Sequence, residues 1–197
     1  MRESLPLATL HEAVLEFLRH RNDAVLFGAQ AVNAYVSDPR MTQDVDILCL
    51  RAAEVAQELR TYLQQQFHIA VLVREIGKGR GFRIYHVRKP KNRHLVDVRP
   101  VQALPAVRRI DQVLVLAPVA LIAYKIISYH QRRGKPKAGT DWRDVAELLL
   151  RFPDLKHETG PVLDCLHAAG GSEEVLKVWQ EVVGQDILQE DDADEWE

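Results

Sequence analysis

Apolar positions recur along the chain with two periods. Leu10, Ala13, Val14, Phe17 and Leu18 fall at i, i+3, i+4, i+7 and i+8, the stripe of an amphipathic helix over residues 8–20. Ala24 to Phe27 (AVLF) is a short buried strand ending at Gly28, and AQAVNAYV after it has helical spacing that stops at Ser37-Asp38-Pro39. Val45 to Leu50 reads as the next strand, Ala52 to Gln66 as a long helix with Val55, Leu59, Tyr62 and Leu63 inward, and Ile69 to Val73 as a third strand. The run EIGKGRG (Glu75 to Gly81) is turn chemistry, and Phe82 to Val87 and His94 to Val98 beyond it alternate as strands do. Val113 to Leu116 adds a short strand. Pro118 then opens a helix to about Gln131. Thr140 is expected to cap a helix through about Leu150, with more helices near Gly160 to Ala169 and Glu173 to Leu188, and an acidic tail expected to be disordered.

This order predicts an α/β (α+β) protein: a mixed sheet flanked by helices over residues 1–116, a C-terminal helical bundle over 117–189, and the tail 190–197. Composition agrees with a folded chain, since 47% of the 197 residues are hydrophobic and 27% charged. The longest apolar stretch, Val113 to Ile127, is broken by Pro118 and Lys125 and is too short for a bilayer core of roughly 30 Å. The N-terminus carries Glu3 and amphipathic rather than continuous apolar character, so no signal peptide is read and a cytoplasmic protein without membrane partners is expected. Cys49 and Cys165 stand in apolar contexts without metal-ligand spacing, so neither a disulfide framework nor a zinc site is suggested. Net charge is −2, but residues 74–137 hold 16 basic and three acidic side chains, a local balance of +13. Such polarity points to a polyanion on one face.

The segment with chemistry is Gly28-Ala29, fourteen residues, then Asp44-Val45-Asp46. Side chains on a strand alternate, so Asp44 and Asp46 share a side with Val45 turned away. Like charges so close raise one another's pKa unless a divalent cation or a basic group compensates. A hard ion, Mg²⁺ or Mn²⁺, is the simplest compensator. Asp97, in the apolar strand HLVDVR, is expensive to bury unpaired and is a natural third ligand. Two acids on one strand and a third on a neighbour form the layout that two-metal phosphoryl chemistry needs. A glycine between strand and helix lets backbone N–H groups approach phosphate, so Gly28 fits the same scheme.

These residues resemble the polymerase-beta-like nucleotidyltransferase superfamily. Within it, FGAQAVNAYVSDPRMTQDVDIL looks most like the abortive-infection, AbiEii-type toxins, whose Gly-rich turn and helix precede an Arg-x-Thr/Ser-x-Asp-x-Asp run, here Arg40 to Asp46. The helical segment from Ala117 to Leu149 is similar to their Lys, Arg and Asp-x-x-Asp motif, with Lys125, Arg132, Arg133, Asp141 and Asp144 in those places. The superfamily turn is usually Gly-Ser or Gly-Gly, and Ala29 departs from it. The resemblance implies a nucleotidyltransferase fold and transfer of an NMP from an NTP to an acceptor hydroxyl, with Asp44, Asp46 and Asp97 as metal-binding catalytic acids. It implies nucleotide contacts at Gly28, Ala29, Arg40, Thr42, Lys125 and Asp144. It also implies an antitoxin as protein partner and the 3′ end of a tRNA as a candidate acceptor.

Plainer readings stand beside these. Lys125 lies on an apolar helix face, where a lysine stem can snorkel to solvent. Asp141 and Asp144 can serve a helix N-terminus, or Asp144 can reach across to hold Lys125 or an arginine. Lys78, Arg80, Arg83, Arg88, Lys89, Lys91 and Arg93 are either a solvated hairpin face or the electrostatic grip on an RNA acceptor. No histidine is assigned a role. A protein or small-molecule acceptor, or a catalytically silent binding module on the same fold, are the alternatives.

Overall fold

The computed structural model describes residues 5–189 and divides between Ala117 and Pro118 into two compact units. The acidic tail expected at 190–197 lies outside the described residues.

The first unit is a seven-stranded mixed sheet with helices α1 (Leu7–Leu18), α2 (Gly28–Asn33) and α3 (Ala52–Phe67). Its strands are β1 (Ala24–Phe27), β2 (Val45–Cys49), β3 (Val71–Ile76), β4 (Gly81–His86), β5 (Arg93–Pro100), β6 (Val107–Ile110) and β7 (Val113–Leu116), in the order β3-β4-β5-β2-β1-β7-β6. β2 pairs parallel with β5 and β1 parallel with β7, and the other neighbours run antiparallel. The hydrophobic face of α3 (Val55, Leu59, Leu63) packs on β2 to β5 and on α1, whose Leu10 and Val14 are fully buried, as are Val25, Val45, Ile47, Val96 and Val98 of the central strands. Removing this apolar surface from water, at about 25 cal/mol per Å², is what holds the central strands in place.

Two expectations change here. β6 was not anticipated, because Val-Arg-Arg-Ile carries neither alternation nor an apolar run; it forms as an edge strand that needs only β7 as partner. The β3–β4 turn is shorter than the run Glu75 to Gly81: Glu75 and Ile76 belong to β3 and Gly81 to β4. Gly81 is required there, since a Cβ would sit 2.7 Å from the carbonyl oxygen of Val98.

The second unit is helical: α4 (Pro118–Gln131), α5 (Lys137–Arg151), a 3₁₀ turn at Pro153–Leu155, α6 (Pro161–Ala168) and α7 (Glu173–Gly184). α4 contacts α5, α6 and α7, and Leu121, Ile122, Ile126, Leu148, Leu166 and Trp179 form the buried centre. Thr140 does not cap α5. The helix begins one turn earlier, at Lys137, and the Thr140 hydroxyl donates back to the Lys137 carbonyl at 2.8 Å inside it. Among the described residues, no helix is long and apolar enough to cross a membrane.

Candidate active site

The parallel pairing of β2 with β5 sets Asp46 opposite Asp97, and the period of two along a strand brings Asp44 to the same side. Three carboxylates thereby converge, although Asp44 and Asp97 are 53 positions apart. Asp44 lies just before β2, Asp46 is the half-buried residue of an otherwise buried strand, and Asp97 is buried.

β1 delivers the next component. Gly28, the first residue after that strand, has φ +71°, and a Cβ built on it would lie 2.2 Å from Oδ2 of Asp46. The Asp46 carboxylate therefore lies over the turn, and only glycine leaves room for it. Ala29 follows, half-buried, in the first turn of α2. α2 then fixes the approach to the acids. Asn33 donates to the Arg40 carbonyl at 2.8 Å and accepts from the Arg40 amide at 3.1 Å, while Gln30 donates to the Thr42 hydroxyl at 2.8 Å. Arg40 and Thr42 are thus held by their backbone and hydroxyl, and the Arg40 guanidinium bonds to the Met41 carbonyl at 3.4 Å.

The compensator of the acids is a set of basic side chains. His94 spans two of them, with Nδ1 3.2 Å from Asp44 and Nε2 3.0 Å from Asp97. Arg83 grips both oxygens of Asp97, its Nε at 2.7 Å and an Nη at 3.0 Å, and Arg99 stands 3.9 Å from Asp46. Burial alone would lower the His94 pKa, but hydrogen bonds to Asp44 and Asp97 outweigh it and raise the value to about 9. Burial likewise works to raise that of Asp97 and is outweighed by His94 and Arg83, which hold the carboxyl below its usual range. Arg83 was expected among the nucleic-acid contacts; its guanidinium is instead engaged with Asp97 from the facing position on β4.

The sequence assigns no role to His94, and strict alternation along β5 would send residues 94 and 97 to opposite faces. The structure resets the phase with a bulge: Ile84 pairs with Val96 but Tyr85 with His94, leaving Leu95 as the extra residue of β5. Arg83 and Tyr85, two apart on β4, therefore face Asp97 and His94 on one side of the sheet, and the Tyr85 and His94 rings lie 5.5 Å apart.

Asp44, His94 and Asp97 each offer a donor atom within 4.8 Å of the others, a mixed carboxylate and imidazole set that suits a divalent cation. The residue chemistry thus fits the metal that the sequence implied.

In the second unit Lys125 is buried on α4 and meets two acids of α5, Asp144 at 2.6 Å and Asp141 at 3.6 Å; Arg132 bonds Asp141 at 2.8 Å. Asp144 does reach across to Lys125, and the lysine's charge is answered within its own unit. Of the remaining basic positions, Lys78, Arg80, Lys89 and Lys91 are exposed, whereas Arg88 and Arg93 are half-buried, Arg93 donating to the Leu5 carbonyl at 3.2 Å.

A family model described as nucleotidyl transferase AbiEii toxin, type IV toxin–antitoxin system, matches residues 10–170. No curated protein sequence matches the chain. Solved structures share its fold. The Megavirus polyadenylate synthase is 13% identical with a TM-score of 0.60 over 75% of this chain, which spans only 32% of that enzyme. An antigenic nucleotidyltransferase-like protein from Paracoccidioides brasiliensis is 22% identical with a TM-score of 0.52, covering 89% of this chain and 92% of its own. The antibiotic-resistance factor ANT(2'')-Ia is 16% identical with a TM-score of 0.51, over 88% and 96%.

Proposed function

This chain belongs to the AbiEii nucleotidyl transferase toxin family, and from that membership we propose that it transfers an NMP from an NTP to a hydroxyl of RNA in a divalent-metal-dependent reaction. The observation that carries the reading is the strand register that sets Asp46 beside Asp97, with Asp44 on the same side and the Gly28 turn beneath Asp46.

A divalent ion at these acids, Mg²⁺ or Mn²⁺, would lower the pKa of the attacking hydroxyl and neutralise charge on the triphosphate. Asp44 and Asp46 hold it, and Asp97 completes the anionic set. Gly28 and Ala29 offer backbone N–H groups to phosphate oxygens, and the Arg40 backbone and Thr42 hydroxyl, fixed by α2, hold the approach to the acids. Lys125 and Asp144, implied as nucleotide contacts by the family motif, act in this reading first on each other. The acceptor is argued from charge: Lys78, Arg80, Lys89 and Lys91 expose a basic surface that suits a phosphate backbone, and the tRNA 3′ end is the candidate the family resemblance offers. An antitoxin is the counterpart that a toxin–antitoxin family implies.

Incubation with each labelled NTP, Mg²⁺ or Mn²⁺ and total tRNA tests the reading. Label should enter RNA, vanish in EDTA, and fade with rising salt at a slope of about −0.7 per contacted phosphate; the Lys78→Ala/Arg80→Ala variant should flatten that slope. Label on protein or small molecules would replace the RNA acceptor. NTP binding with no transfer to anything would leave a silent module, a reading favoured by the basic partners that already meet each acid.

A further inference from the structure

The cluster of Asp44, His94, Asp97 and Arg83 has an internal order that the three-acid description leaves unused. Asp97 is 4% exposed and accepts from Arg83 through both oxygens and from His94 through Oδ1. His94 turns one nitrogen to Asp97 and the other to Asp44. A metal-binding imidazole is ordinarily oriented this way, its second N–H donated to a carboxylate that is itself hydrogen-bonded. The free side also has the right spacing. Two donors bound cis to one octahedral ion at about 2.1 Å stand about 3 Å apart, and Nδ1 of His94 lies 3.2 Å from Oδ2 of Asp44.

We propose that His94 is a ligand of the catalytic cation, through Nδ1 and together with Asp44, and that Asp97 and Arg83 are positioning residues that hold the imidazole rather than ligands or RNA contacts. The inference rests on the metal-dependent reading above and changes its ligand set. Asp46 remains the further carboxylate. An ion held between Nδ1 and Asp44 would occupy the place of a proton there, and that proton would leave to solvent. The bulge at Leu95 is then a functional device, since without it His94 would face away from both acids. One chemical consequence distinguishes this site from an all-carboxylate one. An imidazole nitrogen favours Mn²⁺ and Co²⁺ over Mg²⁺, whereas three carboxylates give less preference.

The test is Mn²⁺ binding to the full chain with a non-hydrolysable NTP analogue, followed by calorimetry and pulsed electron paramagnetic resonance. Bound Mn²⁺ should show hyperfine coupling to an imidazole nitrogen, and Mn²⁺ should bind at least tenfold more tightly than Mg²⁺. His94→Gln should remove the coupling and reduce the preference. Asp97→Asn still offers an oxygen to His94 and should keep the nitrogen coupling with roughly tenfold weaker Mn²⁺ binding, whereas Asp97→Ala should weaken it further, toward 100-fold. The wild-type spectrum decides even where a variant folds poorly. Mn²⁺ bound without nitrogen coupling, or coupling that survives His94→Gln, overturns the assignment while leaving metal dependence standing. Mn²⁺ that does not bind even with saturating analogue overturns both.

Discussion

Each unit of the chain contains a cluster of acids and bases, and the two differ in access rather than in composition. In the helical unit Lys125 and Arg132 meet Asp141 and Asp144, and the Asp144 side chain is 2% exposed. In the sheet unit Asp44, Asp46 and Asp97 meet His94, Arg83 and Arg99, and the Asp44 side chain is 37% exposed. Both sets pair opposite charges. The buried set ties α4 to α5, and a group taken so far from water can be changed only at the cost of stranding its partner. At the half-open set Asp44 and Asp46 reach solvent, where an incoming cation or phosphate can compete for their lone pairs, while Asp97 lies buried behind them. Charge pairing alone therefore does not separate a clamp from a candidate reaction site; the exposure of Asp44 is what the sheet cluster adds.

Four experiments would break or sharpen that contrast. The largest effect is expected at the buried cluster: Asp144→Ala should cost about 3–5 kcal/mol in denaturant unfolding, because Lys125 loses its nearest counter-charge in a dry setting. Lys125→Met combined with Asp144→Leu should recover most of that loss, and a double variant as unstable as the single one would show that the pair is more than a clamp. At the open cluster the order reverses. Asp46→Ala should reduce nucleotide transfer by about 10²-fold or more while unfolding free energy stays within about 1 kcal/mol of the parent or rises, since a like charge is removed. Gly28→Ala falls between, for its Cβ would meet Asp46 at 2.2 Å in a backbone conformation with φ +71°; a loss of about 1–3 kcal/mol and weaker metal binding by calorimetry are expected.

The last test is on pH. The His94 value is raised in the folded chain to about 9 from 6.5, so its contribution is fully present below about pH 6.5 and is lost as pH rises through about 9. Thermal unfolding without added metal should show stability falling over that window. The decline should be flatter in His94→Gln, and an identical decline in both would assign it elsewhere.

The strand, glycine, helix and acid-pair succession could be read from the sequence because each is local: AVLF before Gly28, and the period of two that groups Asp44 with Asp46. Positions set by long-range pairing could not. The parallel alignment of Asp46 with Asp97 is a fact about β2 and β5, and the facing of Arg83 with Asp97 is a fact about β4 and β5. Arg83 thus looked like one more basic residue in a run of them. His94 was hidden twice, by the bulge that reverses its face and by the 50 positions between it and Asp44. A threonine is a strong N-cap signal, which points to Thr140 as the start of α5, whereas the helix starts at Lys137 with Pro136 at its N-cap.

The pairing of β2 with β5 has an evolutionary consequence. A side-chain period of two means that a single inserted or deleted residue at the Val45 end of β2 would shift Asp46 against Val96 or Val98 and present Val45 or Ile47 where a carboxylate belongs. Such a slip would also turn Asp46 into the buried face now held by Val45 and Ile47, so the fold and the chemistry guard the same register. Natural variants of this chain should accordingly gather length changes before Arg40 in the connection after α2 and at the hairpin ends, and a survey of indels across relatives would trace the outline of the site without any biochemical assay.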